Sequence, residues 1–376
     1  MTTAAERSIG LRPTEATIDL GAIRANVSSL APESAEMMAV VKADAYGHGA
    51  VPVARAALES GAGRLGVALV EEGVELRRAG IPGPILVLAE FPSGSERDAL
   101  EAALTPSLSS RDGLRRLARA ADGTSERSVH VTLDTGMHRE GVAWTEAEGF
   151  CRSVAEAGLR LEGLWTHFAT ADEPENPFLD VQLERFTQAV TVVRASGIDV
   201  PILHAANSAA TMRRPDTHFD LVRVGIAMYG VSPGAALDDA VSSLRAAMSL
   251  RSRVALTRRV PAGEAVSYGL TYRLERDSTI AAVPIGYADG YPRPLSNAGH
   301  VLIRGRRYPV AGRVTMDQTL IDCGDDDVAA GDEVVLLGRQ GGEEITAGEL
   351  AAMAGTVGYE ILSRVGARVP RGYVER

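Results

Sequence analysis

Between about residues 37 and 225, short apolar runs alternate with longer stretches of mixed polarity. The runs are MMAVV (37–41), RLGVALV (64–70), PILVLA (84–89), LTPSL (104–108), VHVTLD (129–134), LEGLWTHF (161–168), PILHAAN (201–207) and LVRVG (221–225). Continuous apolar runs of five to eight residues suit strands buried on both faces, as in parallel sheets. The intervening stretches, among them PVARAALESG, EEGVELRRAG, RDGLRRLARAADG, EAEGFCRSVAEAG and FLDVQLERFTQAVTVVRASG, repeat apolar residues at three- and four-residue spacing. They mostly close on glycine, as helices do. About eight strands alternating with helices predict a (β/α)8 TIM-type barrel. A doubly wound open sheet is the alternative, weakened because no GxGxxG follows the first run. After about residue 244 the pattern changes to β-like stretches broken by Gly, Pro and Asp-rich turns, with one short helix in GEEITAGELAAMAG and a strand-like C-terminus. The expected division is a barrel over 1–243 and a mainly β domain over 244–376, with ADGYPRPLSNAG as a turn-rich surface loop.

Composition narrows the class. The 376 residues are 45% hydrophobic, 23% charged and 5% aromatic, enough for two domains with full cores. No apolar run approaches the roughly 18 residues a membrane span needs. The first residues lack an apolar segment of secretory type, so a cytoplasmic location is expected. Cys151 and Cys323 are too few for a disulfide framework and read as reduced thiols. A net charge of −10 argues against nucleic acid and anionic membranes as partners. An enzyme or a small-molecule binder remains.

One count carries chemistry. Of the 39 basic residues, a single one is lysine, Lys42. A GC-rich coding background accounts for scarce lysine. It does not account for the survival of one, because arginine serves wherever a fixed charge suffices. Arginine fails where the nitrogen must lose its proton. Lys42 is therefore a candidate for Schiff-base or general-base chemistry. It stands just past the first run, and a barrel places ligand-handling residues at the C-terminal ends of its strands. Tyr46 and His48 follow it. Arg139 follows the fifth run, His167 ends the sixth, Asn207 and Ser208 follow the seventh, and Arg223 and Gly225 close the eighth. Each has an ordinary alternative (a surface charge for Arg139, a core histidine for His167, a helix N-cap for Ser208), but their joint placement points to one site.

AVVKADAYGHG, THFATAD, HAANSAAT, RVGIAMYG, VSYG, GYADGYPR and RVTMDQ, in this order, resemble the alanine racemases that use pyridoxal 5′-phosphate. The resemblance runs from about Thr17 to Arg368. It implies a barrel followed by a β domain, a head-to-tail homodimer, and interconversion of L- and D-alanine to supply D-alanine for peptidoglycan. It implies that Lys42 anchors the cofactor and moves a proton on one face of the substrate Cα. Tyr268, arriving from the other subunit, would serve the opposite face. Arg223, supported by His167, would hydrogen-bond the pyridine nitrogen; an arginine there keeps the ring a weaker electron sink than an acid would. Tyr46, Ser208, Tyr359 and the amides of Gly225 and Ile226 would hold the phosphate. Arg139 and the backbone of Met316 would take the substrate carboxylate, with Asp317 beside them. Tyr287, Tyr359 and Arg293 would narrow the pocket to a methyl side chain.

The chain also departs from the family. Thr132 stands where many members carry a carbamylated lysine that steadies the arginine matching Arg139. Either an inorganic anion fills that gap or Arg139 is held less firmly. His138 and Glu140 replace small and apolar residues; Glu140 is expected to face solvent, with a new partnership to Arg139 as the alternative. Thr315 replaces a frequent cysteine, and Gly358 stands where asparagine is common. His48, His130 and Cys323 read as structural, and no side-chain spacing predicts a metal. Three alternatives are carried: a broader racemase acting on serine, a decarboxylase of basic amino acids, and a non-catalytic pyridoxal-phosphate protein. The decarboxylase lacks its glycine-rich phosphate loop and interface cysteine here, and the non-catalytic proteins resemble the barrel alone.

Overall fold

The computed structural model describes residues 12–121 and 127–376. Most of the N-terminal stretch without a secretory pattern therefore lies outside the described residues, as do the last two residues of RDGLRRLARAADG. Two compact units emerge, one from Ile23 to Arg245 and one joining the described residues before 23 to Ala246–Arg376.

The first unit is the barrel. Its strands are β1 (Glu36–Val40), β2 (Arg64–Val67), β3 (Ile85–Val87), β4 (Thr105–Leu108), β5 (Arg127–Asp134), β6 (Leu159–Trp165), β7 (Ile202–His204) and β8 (Leu221–Val224). Each falls within or across one of the eight apolar runs. They pair in parallel in chain order from β1 to β7, and β8 pairs with β1 through Leu221 opposite Glu36. The remaining seam is joined by main-chain bonds from Asp220 N to Leu203 O (3.0 Å) and Arg223 N to Ala206 O (3.0 Å). Helices Ala50–Glu59, Val70–Arg78, Arg111–Ala121, Ala147–Glu156 and Phe178–Ala195 occupy the expected stretches. Apolar periodicity missed the short helices Glu96–Glu101 and Ser208–Arg213, each only six residues long.

Polar groups fill part of the barrel interior. Imidazole Nδ1 of His130, on β5, lies 2.8 Å from His204 Nε2, and His204 stacks on Trp165 at 5.5 Å. Gly163 on β6 makes the room: a Cβ there would sit 2.4 Å from His130 Nδ1. Burial drives the pKa of His130 down to about 3 and depresses those of His167 and His204 well below the usual histidine range. Three neutral imidazoles in the native state bind fewer protons than in the unfolded chain once the pH drops below about 6.5. Stability is therefore expected to fall as pH decreases from about 6.5 toward 4, by roughly 1 kcal/mol per pH unit for each histidine. Urea unfolding midpoints across that range check this, and a flat profile would contradict it.

The second unit is mainly β, as expected. Strand Met248–Arg253 runs antiparallel to Glu333–Gln340 on one side and Glu15–Asp19 on the other; Arg371–Val374 lies parallel to Glu15–Asp19. His300–Ile303 and Arg306–Pro309 extend this sheet as a hairpin, and Leu256–Val260, Ser278–Val283 and Thr319–Asp322 form a second. Residues 12–22 thus differ from the expected boundary, which gave them to the barrel: their strand lies between two strands of the second unit. The expected helix is Ala347–Ala354, capped by Thr346 Oγ1 accepting Glu349 N at 3.0 Å and ended by left-handed Gly355. The ADGYPRPLSNAG stretch departs from the surface-loop expectation. It is turn-rich, but Asp289, Tyr291 and Leu295 are buried, and Arg12 donates to both oxygens of Asp289 (2.8 and 3.0 Å).

Candidate active site

The barrel residues singled out from sequence gather at the C-terminal ends of the strands. Lys42 follows β1 by two residues and is half-buried. Burial lowers its pKa first; Arg139 and Arg223 lower it further, while Glu72 and Glu140 oppose them. The backbone after it is unusual. Ala43, Asp44, Ala45 and Tyr46 all have φ of 52–53° with ψ between 39 and 52°, one left-handed turn made without glycine. Each such residue costs about 1–2 kcal/mol relative to the right-handed form. Anchoring bonds hold the turn: Ala45 N to Val41 O (2.9 Å), Gly49 N to Asp44 O (2.9 Å) and Ala50 N to Asp44 Oδ1 (2.8 Å). The turn places the buried Tyr46 ring 5.0 Å from the Tyr229 ring, and the His48 ring packs on the same tyrosine at 4.5 Å. His48 is thus a packing residue here, as the sequence suggested.

Arg223 sits inside β8 and is 4% exposed. Its guanidinium donates to Thr166 O (2.9 Å), Ala205 O (3.0 Å), His167 Nδ1 (3.1 Å) and His204 Nδ1 (3.1 Å), and its carbon lies 4.6 Å over the Trp165 ring. All four partners are neutral acceptors. Burial and then Arg139 push its pKa down to about 9, which still leaves a cation at neutral pH. The pairing of Arg223 with His167 was expected. His204 and Trp165 were not singled out, although they lie in the seventh and sixth runs, where an inward-facing polar or indole side chain stands out against aliphatic neighbours.

At the head of β8, Ser208 Oγ accepts Gly225 N at 2.9 Å and Ala227 N at 3.5 Å. Ser208 is therefore not the helix cap: Asn207 is, its Oδ1 accepting Ala210 N at 3.0 Å. A Cβ on Gly225 would lie 2.6 Å from Tyr46 Oη, so only glycine lets that hydroxyl approach. Ile226 begins the buried turn Ile226–Tyr229. Tyr46, Ser208, Gly225 and Ile226 thus come together as the sequence grouped them.

Arg139 lies in the loop after β5, with half its side chain exposed, and pairs with Glu140 at 3.6 Å. Glu140 is half-buried, so it is the new partner rather than a solvent-facing carboxylate. Asp134 fixes this loop by accepting Gly136 N (2.9 Å) and His138 N (3.0 Å). Thr132 is buried, and its hydroxyl has no hydrogen-bond partner among the described residues. It lines a cavity of about 10 Å³, room for about one water, with Arg139, Glu140, Trp165 and His167.

The remaining candidates belong to the second unit. Tyr268 projects from a turn whose neighbours Ser267 and Gly269 have φ of 64° and 75°, and it is 73% exposed. Tyr287 and Met316 are exposed as well; Met316 O accepts Ala288 N at 3.1 Å. Asp317 pairs with Arg368 at 2.7 Å. Arg293 lines a shallow cleft with Arg313. Tyr359 is carried on helix Gly358–Ser363, too short for its periodicity to be read. Among the described residues, no cluster of His, Cys, Asp or Glu could hold a metal, and no helix is long and apolar enough to cross a membrane. Cys151 and Cys323 are buried free thiols.

The alanine racemase N-terminal domain family matches residues 18–233, and the alanine racemase C-terminal domain family matches residues 247–373. The alanine racemase of Symbiobacterium thermophilum is 49% identical, with 97% of this chain and 98% of that protein covered. Among solved structures, alanine racemase from D-cycloserine-producing Streptomyces lavendulae superposes with a TM-score of 0.93 at 44% identity, covering 97% and 98% of the two chains. Alanine racemase from Bacillus anthracis with bound L-Ala-P gives 0.91 at 42% identity, covering 97% and 96%. The protein is an isomerase acting on amino acids. The chain belongs to the alanine racemase family.

Proposed function

We propose that the protein interconverts L- and D-alanine with pyridoxal 5′-phosphate, as a homodimer with shared sites in the cytoplasm, and so supplies D-alanine for peptidoglycan. The observation that carries this reading is the sole lysine, half-buried and lowered in pKa, in the barrel unit whose buried Arg223 is held entirely by neutral acceptors. The residues fit the cofactor. Tyr46 Oη against Gly225 and the amides gathered at Ser208 make a compact cradle beside a strand end, where barrels recurrently place a phosphate.

In this reading Tyr46, Ser208, Tyr359 and the backbone of Gly225 and Ile226 hold the phosphate, and Lys42 is the covalent anchor. When bound, the cofactor withdraws electrons from the substrate Cα–H bond. Arg223 offers a donor to the pyridine nitrogen. Because His167 and His204 accept from Arg223, neither has a proton to pass through it, and the guanidinium itself does not give one up. Arg223 would thus give the pyridine nitrogen a hydrogen bond without a proton, which would disfavour transamination. Lys42 Nζ takes the proton from Cα on one face as the neutral amine, which burial and the two arginines favour, and returns it from the ammonium. Tyr268 of the partner subunit acts on the other face; its exposure in its own unit supports that assignment. Arg139 and the Met316 backbone orient the substrate carboxylate with Asp317 beside them, and Tyr287, Tyr359 and Arg293 narrow the pocket.

The test is a side-by-side assay of the purified, cofactor-loaded protein on L-alanine and L-serine. Alanine is expected to be preferred by at least about tenfold in kcat/KM, since a hydroxymethyl must displace pocket tyrosines. Equal rates would favour a broader racemase, and no turnover of either would favour a non-catalytic binder.

A further inference from the structure

Glu72 has entered the site so far only as a charge acting on Lys42. It occupies the first turn of helix Val70–Arg78, in the loop region after β2, and its carboxylate is divided between two tasks. Oε2 accepts Ala68 N at 2.8 Å and Leu69 N at 3.1 Å, an ordinary closure of a helix start. Oε1 reaches away from its own helix to accept Ala43 N at 2.6 Å. Ala43 is the residue after Lys42 and the first of the four left-handed residues.

We infer that Glu72 is a positioning residue for Lys42, clamping the strained turn that carries the amine to the rigid start of the neighbouring helix. The inference rests on the Lys42 role proposed above. A left-handed run of four non-glycine residues persists only where surrounding contacts over-determine it. The bonds of Ala45 N to Val41 O and of Gly49 N and Ala50 N to Asp44 stay within the turn or its immediate flanks, whereas the Glu72 bond ties it to another barrel helix. Charge adds a second effect. Arg139 and Arg223 both favour the neutral amine, whereas Glu72, with Glu140, favours the ammonium. Glu72 therefore holds the amine in place and offsets part of the push of the two arginines, keeping Lys42 able to carry a proton as well as to release it.

The chain's single lysine makes this measurable without cofactor or activity. In full-length, tag-free protein labelled with 13C-lysine, one side-chain resonance reports Lys42. Glu72→Gln has one oxygen for two tasks: if the oxygen keeps the helix start, an NH2 donor faces the Ala43 N–H, and if the oxygen turns to Ala43, the helix start loses its acceptor. Its Lys42 resonance is expected to move, its titration midpoint to fall by about one pH unit, and kcat of the loaded enzyme to fall about tenfold with KM for alanine within about twofold. A resonance and midpoint unchanged from wild type, or a wild-type kcat, would overturn the inference and leave Glu72 as a helix cap. If the glutamine variant does not fold, Glu72→Asp serves: it keeps the charge but is one methylene too short to span both tasks, so its Lys42 resonance must also move, and an identical resonance would overturn the inference. Absence of cofactor from Lys42 would instead defeat the proposed function, while the cofactor-free resonance would still report on Glu72.

Discussion

Replacing Lys42 with arginine is expected to abolish the visible absorption of lysine-bound pyridoxal phosphate and to lower racemisation by about a thousandfold or more. The substitution preserves a positive charge and a long aliphatic stem, and the half-buried position tolerates both. It removes the one property the site requires, because a guanidinium remains protonated at neutral pH. The fold should survive, so circular dichroism and the urea midpoint should stay close to wild type. Retained cofactor absorption in this variant would take the anchoring role away from Lys42. Burial and two arginines lower the pKa of Lys42, which makes the neutral amine accessible nearer neutral pH than in solution.

The second large effect concerns Tyr268. Lys42→Ala and Tyr268→Ala proteins should each be inactive, and mixing them with subunit exchange should restore activity. In a mixed dimer, one of the two composite sites receives both intact residues and the other receives neither. With random exchange of equal amounts, half the dimers are mixed, so recovery should approach about a quarter of wild-type activity. No recovery despite demonstrated exchange would place both residues of each site on one chain and contradict the shared-site reading. The exposure of Tyr268 on a turn with two positive-φ neighbours suits a side chain presented to a partner.

Much of the fold was legible because the barrel strands are buried on both faces and are therefore written as unbroken apolar runs, from MMAVV to LVRVG. The site was legible where a residue type is chemically irreplaceable: one lysine, and an arginine inside a buried strand. Three features were not. Strand Glu15–Asp19 joins the second unit through pairing with residues more than 200 positions away, and no local pattern records a distant partner. The left-handed turn at Ala43–Tyr46 contains no glycine, the usual sign of positive φ, so ADAY gave no hint of it. Glu72 read as an ordinary acidic residue in the first turn of a helix; only its second oxygen, bonded across space to Ala43, distinguishes it. Arg139 shows the reverse case. The sequence placed Glu140 in solvent and raised it as a partner for Arg139 only as the alternative; the 3.6 Å ion pair with a half-buried Glu140 favours that alternative.

The most direct measurement is to reduce the cofactor-loaded protein with borohydride, digest it and locate the pyridoxyl group by mass spectrometry. One pyridoxyl group per chain is expected, on the peptide containing VVKADAYGHG, at Lys42. A chain left unmodified after loading, or a label found only on the N-terminal amine, would contradict it.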